Sequence, residues 1–340
     1  MYISLADTTQ LASKLTSKKL ANMLAIWWSY VMSKITNEPA IKGLPISVSI
    51  EPTTACNLRC PECPSGLRSF SRPTGKLKQE LYQEVIDEVS EELFYLIFYF
   101  QGEPYLHPQF LKMVSYASAK GIYTATSTNA HFLDDENARR TVESGLDRMI
   151  ISIDGSTQET YEAYRKEGSL EKVLEGTKRM IEWRRKLNSK TPAILWQFLV
   201  VAPNEHQIPE IKKLAKEYGV DKVAFKTAQI YDYENGNELI PTNDKFSRYS
   251  NNGDGTFRIK SKLIDHCWKM WHSCVITWDG QVVPCCFDKD ADYPMGSLGG
   301  SSFLQIWNSS AYQEFRANLM KSRSSIDMCR NCTEGTKVWG

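Results

Sequence analysis

Residues 56–63 read Cys56-Asn57-Leu58-Arg59-Cys60-Pro61-Glu62-Cys63, so three thiols share one short loop, with three and then two residues between them. The stretch before it, 46–51, alternates β-branched residues and is closed by Pro52-Thr53-Thr54, which predicts a buried strand. The thiols are therefore expected at the carboxyl end of a strand, where α/β folds build their sites. Three thiolates can hold three irons of a 4Fe–4S cluster and leave the fourth iron open to another ligand.

A structural zinc site is the alternative interpretation of this loop. Zinc in such sites takes four ligands, usually as two CxxC pairs. The sequence offers no fourth Cys or His close to Cys63, which favours the cluster.

The loop and its flank, EPTTACNLRCPEC at 51–63, resemble the signature of the radical S-adenosylmethionine (SAM) enzymes. The resemblance implies that Cys56, Cys60 and Cys63 carry a 4Fe–4S cluster whose open iron binds the amino and carboxylate groups of SAM. One electron, from a donor such as flavodoxin or ferredoxin, would cleave SAM to a 5′-deoxyadenosyl radical. That radical would then remove a hydrogen atom from the substrate.

Length and composition are compatible with this interpretation. The chain has 340 residues, enough for one barrel-like domain and a smaller one. A net charge of +1 without a long run of like charges gives no indication of a nucleic-acid partner. Nine cysteines without a secretory signal indicate a reducing compartment, so we expect a cytoplasmic protein with metal-bound thiols.

Strands and helices are predicted to alternate from residue 46 to about 230, as in a parallel sheet wound by crossovers. The predicted strands are 46–51, 94–100, 122–127, 148–153, 194–201 and 222–227, and the predicted helices lie near 79–91, 108–120, 135–144, 158–165, 171–187 and 207–218. Six strands match the partial (β/α)6 TIM-like barrel that the resemblance implies. We expect an N-terminal helical segment at 1–44, the barrel at 45–230, a linker at 231–260 and a small β-hairpin/helix iron–sulfur extension at 261–340.

The N-terminal segment repeats apolar residues at helical spacing between lysines, and Pro39 and Gly43 end the pattern. Such a helix can lie on a membrane surface, but packing of its apolar face on its own protein is the favoured interpretation. Its apolar run is too short to span a membrane. The apolar positions are Leu11, Leu15, Leu20, Leu24, Trp27, Val31 and Ile35.

Polar motifs follow the next predicted strands. Gln101-Gly102-Glu103-Pro104 is similar to the family's Gly-Gly-Glu-Pro motif, which binds the SAM amino group, although Gln101 replaces its first glycine. Arg165 would hold the SAM carboxylate, since its guanidinium is a planar fork of donors. The alternatives are helix caps and surface charges. The full set of SAM contacts that the resemblance implies is Gly102, Glu103, Ser127, Asn129, Ser152, Asp154, Arg165 and Val201.

A second group of cysteines follows the linker. Cys267 and Cys285 flank Trp278-Asp279-Gly280, which predicts a hairpin, and a Cys329-x-x-Cys332 pair comes later. This pattern resembles the SPASM or shorter "twitch" extension of radical SAM enzymes. It implies one auxiliary 4Fe–4S cluster on four thiolates, with Cys274 in reserve and Cys286 pointing away from Cys285 along the strand. A zinc ribbon is the rival interpretation.

Three functions remain open from the sequence. The first and slightly favoured one is oxidation of a small molecule, with the auxiliary cluster accepting an electron. The second is modification of a ribosomally made peptide, and the third is a non-enzymatic iron–sulfur carrier, which would leave the SAM motifs without a use. Lys226, Tyr231 and Tyr105 are expected near the substrate cavity.

Overall fold

Six parallel strands form the centre of the molecule in the computed structural model, which describes residues 5–335. Residues 1–4 and 336–340 of the predicted terminal segments lie outside the described part. The strands coincide closely with the predicted ones: β1 (Ser47–Ile50), β2 (Tyr95–Ile97), β3 (Tyr123–Thr128), β4 (Arg148–Ser152), β5 (Ala193–Val200) and β6 (Lys222–Thr227). The predicted α/β class with a partial barrel is therefore confirmed.

Helices connect the strands and surround the sheet. Because helices cover β1 to β6, most of their buried positions are apolar, and the polar exceptions lie on β3 and β4: Thr124, Thr126, Thr128, Arg148 and Ser152. The helices are α1 (Leu5–Ser13), α2 (Ser17–Thr36), α3 (Pro64–Leu67), α4 (Gln79–Val89), α5 (Phe110–Ala119), α6 (Asp135–Glu143), α7 (Gln158–Tyr164), α8 (Leu170–Lys186), α9 (Ile208–Tyr218), α10 (Lys269–His272), α11 (Phe303–Trp307), α12 (Ser310–Lys321) and α13 (Asp327–Arg330).

The segment predicted as a linker contains a small antiparallel pair, β7 (Tyr249–Asn251) and β8 (Phe257–Ile259). The predicted hairpin follows as β9 (Ser273–Ile276) and β10 (Gln281–Val283), with β11 (Gly296–Ser297) beside it. Gly280 has a φ of 84° in the turn, a conformation that glycine adopts without strain.

The hairpin is not a separate sheet. β9 pairs in parallel with β1, so the strand order is β11-β10-β9-β1-β2-β3-β4-β5-β6. Glu51, fully buried after β1, strengthens this junction: it accepts two hydrogen bonds from Arg72, at 2.8 and 2.6 Å, and one from the Trp278 backbone N–H at 3.2 Å. The strand that leads into the cysteine loop and the hairpin are therefore parts of one sheet.

Helices α1 and α2 cover the amino-terminal ends of the strands. Lys19 donates to the carbonyl of Gly121 just before β3, at 2.6 Å, and Asn22 donates to that of Leu44 just before β1, at 2.9 Å. The expectation that the apolar face of this segment packs on the protein is wrong for α2. The buried face instead combines Ile26 and Tyr30 with four polar residues, Lys19, Asn22, Ser29 and Ser33, whose side chains satisfy backbone groups of the adjoining chain.

None of the described helices is long and apolar enough to cross a bilayer.

A buried ion pair holds α1 against the sheet. Asp7 accepts hydrogen bonds from Arg148 at 2.9 and 2.5 Å and from the Tyr123 hydroxyl. We expect Asp7→Asn to lower the free energy of unfolding by about 3–5 kcal/mol, since Arg148 would stay buried without a countercharge. Glu91→Gln, which removes the exposed Lys18–Glu91 pair, should cost less than about 1 kcal/mol. Equal losses in urea denaturation of the two variants would contradict this assignment.

Candidate active site

The cysteine loop is fixed against the loop that follows β2. The Glu103 backbone N–H donates to the Ala55 carbonyl at 2.8 Å, and the Gly102 N–H donates to the Ser65 hydroxyl at 2.9 Å. Gly102 has a φ of 74°, and a Cβ there would lie 2.1 Å from the Thr53 carbonyl oxygen. Only glycine permits this approach, so the two loops are locked together by their backbones.

The three thiols of the loop line one cavity of about 160 Å³ at the carboxyl ends of the strands. Burial raises the pKa of Cys56 to about 12 and also raises that of Cys60, where Arg165 opposes the shift. Such thiols stay protonated at neutral pH until a metal displaces the proton. Three convergent soft donors in an enclosed site fit a cluster held by thiolates.

Glu103 is held in place by the strand next to it. Its carboxylate accepts hydrogen bonds from the Thr128 hydroxyl and the Asn129 backbone N–H, both at 2.8 Å, and a longer one from the Tyr105 N–H at 3.3 Å. Burial raises the pKa of Glu103 to about 7. The group is therefore poised between a neutral acid and a carboxylate that could take an ammonium.

Arg165 approaches the cysteine loop from the end of α7. Its Nη1 lies 3.8 Å from the Cys60 sulfur, and its Nε donates to Asp154 at 2.5 Å. The other oxygen of Asp154 accepts from the Leu199 backbone N–H at 2.6 Å. Asp154 is fully buried behind Arg165 and orients the guanidinium, while the remaining guanidinium nitrogens can meet a carboxylate.

Asn129 contacts the cysteine loop from the end of β3. Its side-chain amide donates to Asn57 Oδ1 at 2.7 Å and lies 3.9 Å from the Cys56 sulfur. Ser127 and Ser152 end neighbouring strands and open onto the same cavity. Polar groups on or after three strands, β2, β3 and β4, thus surround the thiols.

Nine of the eleven residues predicted for this site line the cavity: Cys56, Cys60, Cys63, Gly102, Glu103, Ser127, Asn129, Ser152 and Arg165. Asp154 lies behind Arg165, as described. Val201 is buried in an apolar cluster with Leu58 and Tyr164 beneath the cysteine loop, and its backbone N–H donates to Asn204 at 2.9 Å. Val201, predicted as a SAM contact, therefore lies in this cluster and not in the wall of the cavity.

The sequence analysis missed several wall residues. Tyr99 and Phe100 were assigned to the end of a strand, although the chain has already left β2 there and turns their side chains to the cavity. Tyr164 precedes Arg165, with its ring 5.7 Å from the guanidinium. In the sequence, the indication that Tyr164 lines the cavity is its position directly before the predicted arginine. Tyr105, expected at the cavity, instead bonds its hydroxyl to Thr141 at 2.6 Å.

The second group of cysteines gathers around Arg323. Its Nη2 donates to the Cys332 sulfur at 3.3 Å, and the Glu334 backbone N–H donates to the same sulfur at 3.3 Å. Burial raises the pKa of Cys329 to about 11 and raises those of Cys267 and Cys332, and in each case Arg323 opposes the shift. A buried cation and N–H donors beside the sulfurs would stabilise thiolate ligands. The sequence analysis did not anticipate Arg323.

Cys285 and Cys286 adjoin this group. Their thiols share a hydrogen bond, which lowers the pKa of Cys286 and raises that of Cys285, and Lys269 lies 3.9 Å from the Cys286 sulfur. Cys285 is buried and Cys286 is exposed, but Pro284 ends β10 before either cysteine, so the predicted alternation along the strand does not apply to them. The reserve ligand, Cys274, is buried on β9 close to Tyr312 and Arg316.

Within residues 5–335, no three His, Cys, Asp or Glu side chains converge as a site for a single metal ion.

Comparison with protein families agrees with this geometry. Residues 50–215 match the model of the radical SAM superfamily, and residues 267–333 match SPASM, an iron–sulfur cluster-binding domain. The chain belongs to the radical SAM superfamily. The cofactors of this radical SAM protein are consequently SAM and its 4Fe–4S cluster, together with auxiliary iron–sulfur binding in the SPASM region. The first match contains the cysteine loop and the second contains Cys267, Cys285, Cys329 and Cys332.

Curated relatives resemble the chain over most of its length. A tungsten-containing aldehyde ferredoxin oxidoreductase cofactor-modifying protein of Pyrococcus furiosus is 25% identical over 78% of this chain and 82% of its own. The PqqA peptide cyclase of Gluconobacter oxydans is 24% identical, with coverages of 87% and 85%. The mycofactocin maturase MftC of Mycobacterium tuberculosis is 26% identical, with coverages of 84% and 77%.

Solved structures share the fold. BtrN in complex with AdoMet and 2-DOIA superposes with a TM-score of 0.54 at 19% identity, covering 88% of this chain and 96% of that one. SuiB of Streptococcus suis bound to S-adenosylmethionine gives a TM-score of 0.62 at 13% identity, covering 92% and 77%. At these identities the likeness concerns the fold of this radical SAM protein.

The pKa of Glu103 yields a test of its predicted role. Because burial raises that pKa to about 7, the carboxylate fraction grows between pH 6 and pH 8. If the carboxylate binds the SAM ammonium, SAM affinity should rise about tenfold over this interval. Glu103→Gln, similar in shape but without charge, should bind more weakly at pH 8 and lose the pH dependence.

Equilibrium dialysis of the iron-loaded protein with SAM measures both affinities, and iron analysis confirms that the variant keeps its cluster. An unchanged pH dependence in the glutamine variant would show that Glu103 only caps the turn at Pro104.

Proposed function

We propose that this radical SAM enzyme modifies a peptide or protein substrate. The observation that carries the proposal is the convergence of three thiols, Glu103 and Arg165 on one cavity, in a chain whose relatives include a peptide cyclase and a maturase. These relatives favour the second function considered from the sequence over the small-molecule oxidation that was slightly preferred there.

The open form of the barrel supports a chain-like substrate. Strand β6 ends the nine-stranded sheet on one side and β11 ends it on the other, so in the described residues the sheet does not close on itself. A gap between edge strands can admit an extended segment, and an edge strand can pair with one.

Tyr231 is a candidate substrate contact near the mouth of the cavity. Its ring is about half exposed and lies 4.6 Å from the Lys289 ammonium, and its backbone N–H donates to Glu62 in the cysteine loop at 2.9 Å. The predicted Lys226 side chain is also exposed on β6. Both residues could meet a substrate larger than the enclosed cavity.

The chain's own residues have binding and orienting tasks. Asp154 fixes Arg165 toward the carboxylate of the bound sulfonium, Glu103 accepts its ammonium, and Asn129 orders the cysteine loop. When bound, the cluster and SAM together supply radical hydrogen abstraction. Leu58 and Tyr164 pack against the thiols as apolar parts of the cavity wall, which limits access of water from that side.

The auxiliary cysteines are proposed to hold one cluster that accepts the electron left after hydrogen abstraction. Arg323 and the Glu334 N–H both donate to Cys332. Because they stabilise negative charge on the sulfurs, they would favour the reduced form of the cluster, which carries one more negative charge. The same ligands would fasten α13 to the segment before β9.

A labelled cell extract distinguishes peptide from small-molecule substrates. Extract from cells grown on deuterated amino acids is divided into a peptide fraction and a low-molecular-weight fraction, and each is incubated with the loaded enzyme, SAM and dithionite. We expect deuterium in 5′-deoxyadenosine from the peptide fraction alone, and we expect prior protease treatment of that fraction to abolish it.

Arg165→Lys is the matched control because it keeps the charge while losing the planar fork, and it should reduce label transfer with either fraction. Protease-resistant transfer from the low-molecular-weight fraction would overturn the peptide assignment and restore the small-molecule hypothesis.

A further inference from the structure

Large apolar side chains exposed at the surface are concentrated in one place. Six of the eleven with high exposure lie between residues 15 and 35, and the other five are scattered over the remaining described chain. Monomeric soluble proteins rarely show such a contiguous apolar patch without a binding function. The six are Leu15, Leu20, Leu24, Trp27, Trp28 and Ile35.

Five of these six residues, all except Leu15, belong to α2. Together with the half-buried Val31 they form a single stripe along the helix, which we call the outer face: Leu20, Leu24, Trp27, Trp28, Val31 and Ile35. Their spacing of three and four residues places them on one side of a helix. The stripe is about 22 Å long at the rise of an α-helix. Ile35 is 71% exposed and Leu24 is 57% exposed, so the stripe is not covered by the described chain.

The opposite face of α2 is fixed to the protein by polar contacts. Ser29 accepts a hydrogen bond from the Lys42 backbone N–H at 2.8 Å, and Ser33 accepts one from the Ala40 N–H at 2.9 Å. Tyr30 packs on Trp268 and Trp271, with ring centroids 5.1 and 5.3 Å apart. With the contacts of Lys19 and Asn22, these bonds prevent the helix from rotating its apolar stripe inward.

The charge around the outer face is predominantly positive. Helix α2 carries three lysines and no acidic residue, and residues 14–42 contain five lysines and one glutamate. Lys34 is exposed beside the stripe, whereas Lys14 pairs with the buried Asp147 and Lys19 is itself buried. The exposed Glu91 is paired with Lys18. A partner for this surface should therefore be apolar at its centre and negative at its rim.

We propose that the outer face of α2 is a docking surface for an anionic lipid bilayer, with the helix lying in the plane of the interface. Exposed tryptophans and leucines with flanking lysines are the composition that such a position favours. Trp27 and Trp28 lie side by side, with ring centroids 6.4 Å apart, and can both reach the headgroup level. A second copy of the chain is a poorer partner, because it would bring Lys34 of both copies into the same contact.

The position of α2 gives this proposal a geometric consequence. The helix covers the amino-terminal ends of the strands, whereas the three thiols lie at the carboxyl-terminal ends. Docking through the outer face would therefore hold the enzyme on the membrane with its cavity turned away from it. Access of a substrate from solution would remain open.

Flotation with vesicles tests the proposal directly. The full-length iron-loaded protein should float with vesicles of phosphatidylcholine and phosphatidylglycerol and much less with phosphatidylcholine alone, and added salt should reduce flotation. The double variant Leu24→Gln, Trp28→Gln should bind the anionic vesicles at least about tenfold more weakly, since two apolar anchors are lost. Both positions are exposed, so the fold should persist.

Leu187→Gln, Leu304→Gln is the matched control, because it removes two similarly exposed leucines elsewhere and should float like the unmodified protein. Failure of the unmodified protein to float with anionic vesicles would overturn the proposal. Light scattering on the protein as it elutes from a size-exclusion column tests whether a second copy of the chain binds the outer face instead. A dimer that the α2 double variant abolishes, in a protein that does not bind vesicles, would make the outer face a protein interface and would also overturn the lipid assignment.

Discussion

The contact between the backbones of residues 53–55 and 101–103 is the constraint on which the candidate site depends. It brings the loop after β1, which carries the three thiols, against the loop after β2, which carries Glu103. The missing side chain of Gly102 allows the contact, and the Glu103–Ala55 hydrogen bond fixes it. Any side chain at Gly102 would push the carboxylate away from the thiols, so both parts of the site rest on one glycine.

The parallel pairing of β1 with β9 extends this arrangement to the second group of cysteines. Because β9 continues the sheet, Cys267 before it and Cys285 after the hairpin are held by the same framework as the cysteine loop. Glu51, Arg72 and the Trp278 backbone reinforce the joint at the point where both loops leave the sheet. A rigid connection of this kind suits electron transfer between two proposed clusters.

The sequence predicted the six central strands well, because strands buried on both faces read as short apolar runs between polar turns. The cysteine loop and most of the cavity wall were also predictable, since the motifs follow strand ends that a parallel sheet must bring together. The pairing between β1 and β9 was not predictable, because the two strands are far apart in the chain and no local sequence pattern specifies their register.

Two further features could not be predicted from the sequence, for physical reasons. Asp154 was placed among the SAM contacts, whereas its role in orienting Arg165 depends on a fold-specific hydrogen bond to Leu199. The apolar stripe of α2 was expected to face inward, as stripes usually do. It faces outward because Lys19, Asn22, Ser29 and Ser33 find backbone partners that apolar side chains could not satisfy.

The central claim is that the two groups of cysteines hold separate clusters and that only the loop at 56–63 serves SAM. Iron content and 5′-deoxyadenosine formation, measured together on two variants of the reconstituted protein, test it most directly. We expect about eight irons in the unmodified protein and about four in each variant. Replacement of Cys56, Cys60 and Cys63 by Ala should abolish SAM cleavage, whereas replacement of Cys329 and Cys332 by Ala should leave substrate-independent cleavage intact. Cleavage that survives in the triple variant, or is lost in the double variant with four irons still bound, would contradict the account.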